Sequence, residues 1–253
     1  MKRFRRVFGG LLVLATMLFL CTRYGSILKR DPEPAKAEPE PVDLPVQLLS
    51  PTHCARLVVE IDYVKGCKPS DCAIDGLKEM LGKFCDKPAG IEVVVDEELT
   101  DIEPRAAISD ANCAELRKQH ESLRAGEKTA KLYVLFVPFL SDYKHRQKGS
   151  RGWCREDLIV IAREELRTYA FAFITLAKVE RRVLVHEAGH ALGLVSNDKH
   201  EYRAHCVDPT CVMYYDLDFR SVIANLLPAV LGSLPYDFCS DCRADMKKTR
   251  EGR

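Results

Sequence analysis

The sequence predicts a mixed α/β (α+β) domain, a twisted sheet with one long helix beneath it and a small cysteine-rich subdomain at the C-terminal end. Three observations carry that prediction. Runs rich in β-branched and aromatic residues at 56–63, 91–96, 131–137 and 158–162 alternate with helix-periodic segments at 70–84 and 110–123, the order expected of strands and helices layered on one another. A longer segment, Phe173 to Gly193, repeats apolar Leu176, Val179, Val183, Leu184, Ala188, Ala191 and Leu192 at spacings of three and four, with no proline inside it. The chain then ends in a region that holds Cys206, Cys211, Cys239 and Cys242.

The chain has 253 residues, 47% hydrophobic and 30% charged, with a formal charge of +1. That is a globular composition long enough for one large domain. So small a charge argues against nucleic acid as a partner, because such binders carry a positive field over the binding face.

Met1 to Arg30 opens with Lys2, Arg3, Arg5 and Arg6, continues with an apolar or small run from Val7 to Cys21, and closes with basic residues. It is expected to be an export signal or a membrane anchor, with the rest of the chain on the periplasmic or extracellular side. The run of about fifteen residues is shorter than the ~20 of a full span, so cleavage, lipidation at Cys21 and retention are all open. Asp31 to Pro51 follows with six prolines among acidic and small residues. Proline fixes φ and removes donors, so this stretch is expected to be an extended spacer.

The domain is expected over 52–246. Arg56 to Tyr63 is the first strand. Ser70 to Phe84 is a helix capped by Ser70 or Asp71, with Ile74, Leu77, Leu81 and Phe84 on its buried face. Ile91 to Asp96 is a second strand and Asp110 to Leu123 a second helix. Lys131 to Val137 is the most apolar strand and is expected at the centre of the sheet. Leu158 to Ala162 is another, and the segment with Gly149, Gly152 and Trp153 is expected to make an edge strand facing a substrate. Cys54, Cys67, Cys72, Cys85, Cys113 and Cys154 are an even number in a domain expected to be exported, which points to three disulfides. Val222 to Leu234, broken by Pro228, is expected to pack as a short helix and loop. The charged end, 247–253 within the stretch Arg243 to Arg253, is expected to fray.

The chemistry concentrates on the long helix. His186, Glu187 and His190 stand in the order H-E-x-x-H, and histidines four apart lie on one helical face, where both imidazoles can reach one metal ion. A carboxylate beside the first histidine can take a proton from an activated water and pass it to a leaving amine. The plain alternative is a core helix whose two histidines are satisfied by hydrogen bonds.

The run HEAGHALG resembles the opening of the metzincin pattern H-E-x-x-H-x-x-G-x-x-H, with Ser196 where the pattern has its third histidine. Further on, His205-Cys206, then Cys211-Val212-Met213 and the pair Cys239 and Cys242 resemble the archaemetzincin (archaelysin) family of zinc metallopeptidases. The resemblance implies a metzincin-like fold, His205 as third ligand of a catalytic zinc, Glu187 as base, and a second, structural zinc on Cys206, Cys211, Cys239 and Cys242. It also implies a turn at Met213 beneath the site. Ser196 to Ala204 then reads as an insertion, within which Asp198 and His200 are alternative ligands. The four cysteines could instead form two disulfides. Tyr214 or Tyr215 could donate a hydrogen bond to a developing oxyanion, or simply pack. The function implied is peptide-bond hydrolysis on a peptide or protein substrate. The alternatives are an inactive cysteine-rich binding module and a zinc amidohydrolase of non-protein amides.

Overall fold

A computed structural model describes residues 42–123, 126–141, 151–170, 174–195, 201–202, 204–214 and 234–251. The expected signal or anchor over 1–30 and the proline-rich spacer up to residue 41 lie outside these residues. So do Gly149, Phe173, Tyr215 and the apolar stretch from Val222 as far as residue 233.

The spacer ends earlier than Pro51. Leu44–Leu49 forms a helix, α1, with Pro in its first turn and with Leu48 and Leu49 buried. Proline is tolerated there because the first N–H groups of a helix have no internal acceptor. The buried Lys87 closes the other end, its Nζ donating to the carbonyls of Gln47 at 2.5 Å and of Ser50 and Cys54 at 2.6 Å. A cation among helix C-terminal carbonyls satisfies groups that would otherwise be orphaned.

The main sheet has strands β1 (Arg56–Val64), β2 (Ile91–Leu99), β4 (Thr129–Val137), β6 (Gly152–Arg155) and β7 (Leu158–Ala162). Their order is β2-β1-β4-β7-β6. The first four run parallel and β6 is antiparallel to β7. The most apolar strand, β4, sits at the centre, and Leu132 to Val137 are fully buried within it, as a parallel strand covered on both faces requires. Ala107–Ile108 (β3) and Phe139–Leu140 (β5) form a separate two-residue parallel ladder.

The helices are the expected ones with adjusted ends. Helix α2, Asp71–Phe84, is capped by Ser70, whose Oγ accepts from the Ala73 N–H. Helix α3, Asp110–His120, is capped by Ser109 accepting from Asn112. Arg163–Leu166 (α4) and a 3-10 turn at Arg167–Tyr169 lead to α5, Leu176–Ala191, capped by Thr175. Helix α5 packs on α2, β6 and β7. A buried carboxylate anchors it: Glu180 pairs with Arg163 Nε at 2.7 Å and accepts from the Ser70 N–H at 3.0 Å.

Two expectations are corrected. Cys54, Cys67, Cys72, Cys85, Cys113 and Cys154 form no disulfide. They are spread over separate strands, helices and loops, and burial pushes Cys67 up to about 11 and Cys85 up to about 12, so these stay protonated. Nor is the charged stretch irregular as far as Arg250, for Ser240–Arg250 is a helix, α6. Cys239 caps it, Cys242 and Met246 are its buried residues, and Lys247, Lys248 and Arg250 fall in its last turn, where positive charge opposes the helix dipole. Among the described residues no helix is long and apolar enough to cross a membrane.

Candidate metal centres

The end of α5 shapes the first centre. Gly193 has φ +76°, a left-handed conformation. The Gly193 N–H donates to His190 O at 2.9 Å and the Leu194 N–H to Gly189 O at 3.1 Å, the paired bonds of a Schellman cap. A Cβ at Gly193 would also lie 2.8 Å from Pro45 Cγ, so glycine is demanded by conformation and by the approach of α1.

The chain returns through a hairpin of β8 (Glu201–Tyr202) and β9 (His205–Cys206), in which Tyr202 pairs with His205. That return sets three imidazoles together. The ring centroids of His186 and His190 are 4.9 Å apart, those of His186 and His205 5.1 Å, and those of His190 and His205 5.2 Å. Their ligand atoms all lie within 4.8 Å of one another. Ser196, Asp198 and His200 lie outside the described residues.

The donors suit a metal. His186 is buried, and its Nδ1 lies 2.8 Å from the carbonyl oxygen of Val212. A carbonyl only accepts, so Nδ1 carries the proton and Nε2 keeps a lone pair. Burial, and then the positive charge the neighbouring imidazoles would carry, holds His186 well below the ordinary histidine value. The same causes lower His190 to about 4. Both rings are therefore neutral at pH 7, the form that binds zinc.

Glu187 is buried beside them at 7% exposure. Strand β6 crosses over it: a Cβ at Gly152 would stand 3.1 Å from both Glu187 Cγ and Oε1. Two residues along the same face, burial and then the Glu187 charge push the Cys154 thiol up to about 12. Met213 is fully buried, and a Cβ on Gly189 would collide with its Sδ.

The second centre is built by the loop Cys206–Cys211 and the start of α6. The four sulfurs lie within 4.8 Å of one another, with Cys206 to Cys239 and Cys211 to Cys242 each 3.7 Å apart. A disulfide requires about 2.05 Å, so these are four thiols around a common point. Backbone N–H groups of Asp208, Cys239 and Cys242 point at the sulfurs of Cys206, Cys211 and Cys239 at 3.3–3.5 Å. The thiol hydrogen bond between Cys211 and Cys242 is the first cause that lowers Cys211 to about 6, whereas burial raises Cys206 to about 12. Four converging sulfurs stabilised by N–H donors fit a tetrahedral zinc site.

A third convergence is not anticipated by the sequence reading. Glu60 and Asp62 on β1 and Asp96 on β2 bring carboxylate oxygens within 4.8 Å. Its signal is the i, i+2 spacing of two acids inside an apolar strand, which places both on one face. Missed as well are the Val212 carbonyl behind His186 and the approach of Gly152 to Glu187, since both need distant segments brought together.

No family model matches the chain and no curated protein matches it. Among solved structures, the crystal structure of archaemetzincin from Methanopyrus kandleri is similar at 14% sequence identity, with a TM-score of 0.49 over 78% of this chain and 97% of that one.

Proposed function

We propose that this chain is a zinc-dependent metallopeptidase that hydrolyses peptide bonds with Glu187 as general base. The observation that carries the reading is the meeting of three imidazoles, two of them held neutral by burial, with a buried carboxylate. His186, His190 and His205 would hold the catalytic zinc, and Cys206, Cys211, Cys239 and Cys242 a structural one. Zinc held by three histidines supplies Lewis acidity, polarising a carbonyl and lowering the pKa of water to about 7.

The protein's own part is positional. Val212 orients His186, and the β6 backbone packed on Glu187 restricts where its carboxylate can go. Glu187 takes the proton of the attacking water and returns it to the leaving amine, a role worth roughly 10²–10⁴-fold in rate. Export or membrane tethering is part of the proposal and rests on the basic and apolar stretch Lys2 to Cys21 alone, because no disulfide among the described residues lends it support.

Zinc per chain and hydrolysis of a quenched-fluorescent peptide library test the reading together. Two zincs in the full chain, one in His186→Ala, and lost hydrolysis with zinc retained in Glu187→Gln are expected. Zinc at both centres without hydrolysis of any peptide leaves the inactive binding module or an amidohydrolase of non-protein amides. No zinc in the folded chain ends the catalytic reading.

A further inference from the structure

The two centres share one loop. His205 immediately precedes the cysteine ligand Cys206, and Val212, whose carbonyl accepts from His186 Nδ1 at 2.8 Å, immediately follows Cys211. Everything the loop gives the histidine centre therefore enters through a residue adjoining a cysteine. Inside the loop, the Cys206 N–H donates to Met213 O at 2.8 Å and the Cys211 N–H to Asp208 O at 3.1 Å. Its tie to the segment before α6 includes the Val212 N–H donating to Asp237 O at 2.9 Å. A cluster of four sulfurs within 4.8 Å is self-repelling once more than one is ionised, and an ion among them converts that repulsion into a cross-link between the loop and α6.

We propose that occupancy of the four-cysteine centre sets the metal affinity of the three-histidine centre, by clamping the loop that carries His205 and the Val212 carbonyl. The proposal rests on the metallopeptidase reading above and adds regulation to it. When the cysteine centre empties, the loop loses its metal cross-link to α6 and keeps only hydrogen bonds and the packing of Met213. His205 and the acceptor that orients His186 are then loosened together, and His190 is left as the one ligand not attached to or oriented by the loop. Loss of an outer acceptor alone weakens a metal site by about 10–100-fold, and coupling between two sites spans about 5–150-fold. Linkage also makes the effect reciprocal: metal on the histidines must tighten metal on the cysteines by the same factor.

The test uses the full-length chain and cobalt(II). Thiolate-to-cobalt charge-transfer absorption reports the cysteine centre, and zinc competition followed through the ligand-field bands reports the histidine centre. In Cys242→Ser the charge-transfer signal falls and affinity at the histidines is expected to drop at least tenfold. Cys239→His, which keeps four ligands, is expected to stay within about threefold of the wild type. His190→Ala leaves the cysteines untouched, and their metal affinity, read by competition against the charge-transfer signal, is expected to weaken by the factor found in the first arm.

Unchanged histidine affinity in Cys242→Ser overturns the proposal, as does unchanged cysteine-site affinity in His190→Ala. If Cys242→Ser does not fold, the His190→Ala arm decides alone. A wild type that loads both centres independently removes this coupling and leaves the peptidase reading intact. One that binds no metal at the histidines removes both.

Discussion

The histidine centre and the acidic cluster of Glu60, Asp62 and Asp96 are alike by proximity, since each brings three ligand atoms within 4.8 Å. They differ in what those atoms already do. His186 spends Nδ1 on Val212 and keeps its other nitrogen for a metal. Glu60 accepts from the Ser122 N–H at 2.6 Å and the Leu123 N–H at 2.9 Å, and pairs with Lys131 Nζ at 2.9 Å. Asp62 accepts from the Glu97 N–H at 3.0 Å and the Tyr133 hydroxyl at 2.5 Å. Asp96 accepts from Ser122 Oγ at 2.6 Å. Convergence makes a metal site where acceptors are left over, and the acidic cluster, buried at Glu60 and Asp62 and exposed at Asp96, is a hydrogen-bonded network that ties the segment after α3 to the sheet.

The largest effect that could break this contrast is at Glu187. Glu187→Gln is expected to cut peptide hydrolysis about 10²–10⁴-fold while both zincs stay bound, whereas His186→Ala removes the catalytic zinc and activity together. Activity surviving in Glu187→Gln would place the base elsewhere. Next in size is Glu60→Gln, which leaves Lys131 with Glu121 at 3.0 Å as its remaining ion pair among the described residues and replaces by an NH2 one of the two oxygens that accept from the Ser122 and Leu123 N–H groups. Unfolding in urea should show a loss of roughly 3 kcal/mol, with zinc per chain unchanged. A drop in metal content instead would mean the acids are ligands.

The same contrast explains what the sequence could reveal. Strand β4 was legible because a parallel strand buried on both faces must be apolar along its length. The H-E-x-x-H face was legible because helical geometry alone puts His186 beside His190. The helix read to Leu123 stops at His120, since the following backbone turns to give its N–H groups to Glu60, 62 and 63 residues away. Helix α1 was read as spacer because its closing partner, Lys87, is 40 residues from Gln47. The disulfides failed for a related reason: parity and an expected compartment say nothing about whether two sulfurs meet. In each miss the deciding partner is remote in sequence.

Acidity separates the two regions with opposite signs. The folded value of His190 is about 4, below the ~6.5 of an unfolded chain. Between those values the unfolded state binds more protons, so metal-free protein loses stability as pH falls from about 6.5 to about 4, by about 3 kcal/mol from this residue. Chemical denaturation of metal-free wild type and His190→Ala at pH 4.5 and 7 measures it. The variant should lose less on acidification, and an equal loss in both would refute the burial and charge account of the histidines.

Asp62 titrates the other way and gives the smallest effect. Burial raises its folded value above 3.8, against the lowering by the Tyr133 hydroxyl and the Glu97 N–H. Its contribution to stability is therefore present below the unfolded value and is lost as pH rises through the folded one. Asp62→Asn removes the buried charge but also an acceptor, while its amide can donate to a reoriented Tyr133 hydroxyl. The two changes oppose each other, so stability at pH 7 should stay within about 1 kcal/mol of wild type. The wild type's loss on going from about pH 4 to 7 should be diminished in the variant. Adding calcium or zinc sharpens the outcome: a cation that stabilises the wild type through the acids, and not Asp62→Asn, would turn this network into a third metal centre and end the distinction drawn from spent acceptors.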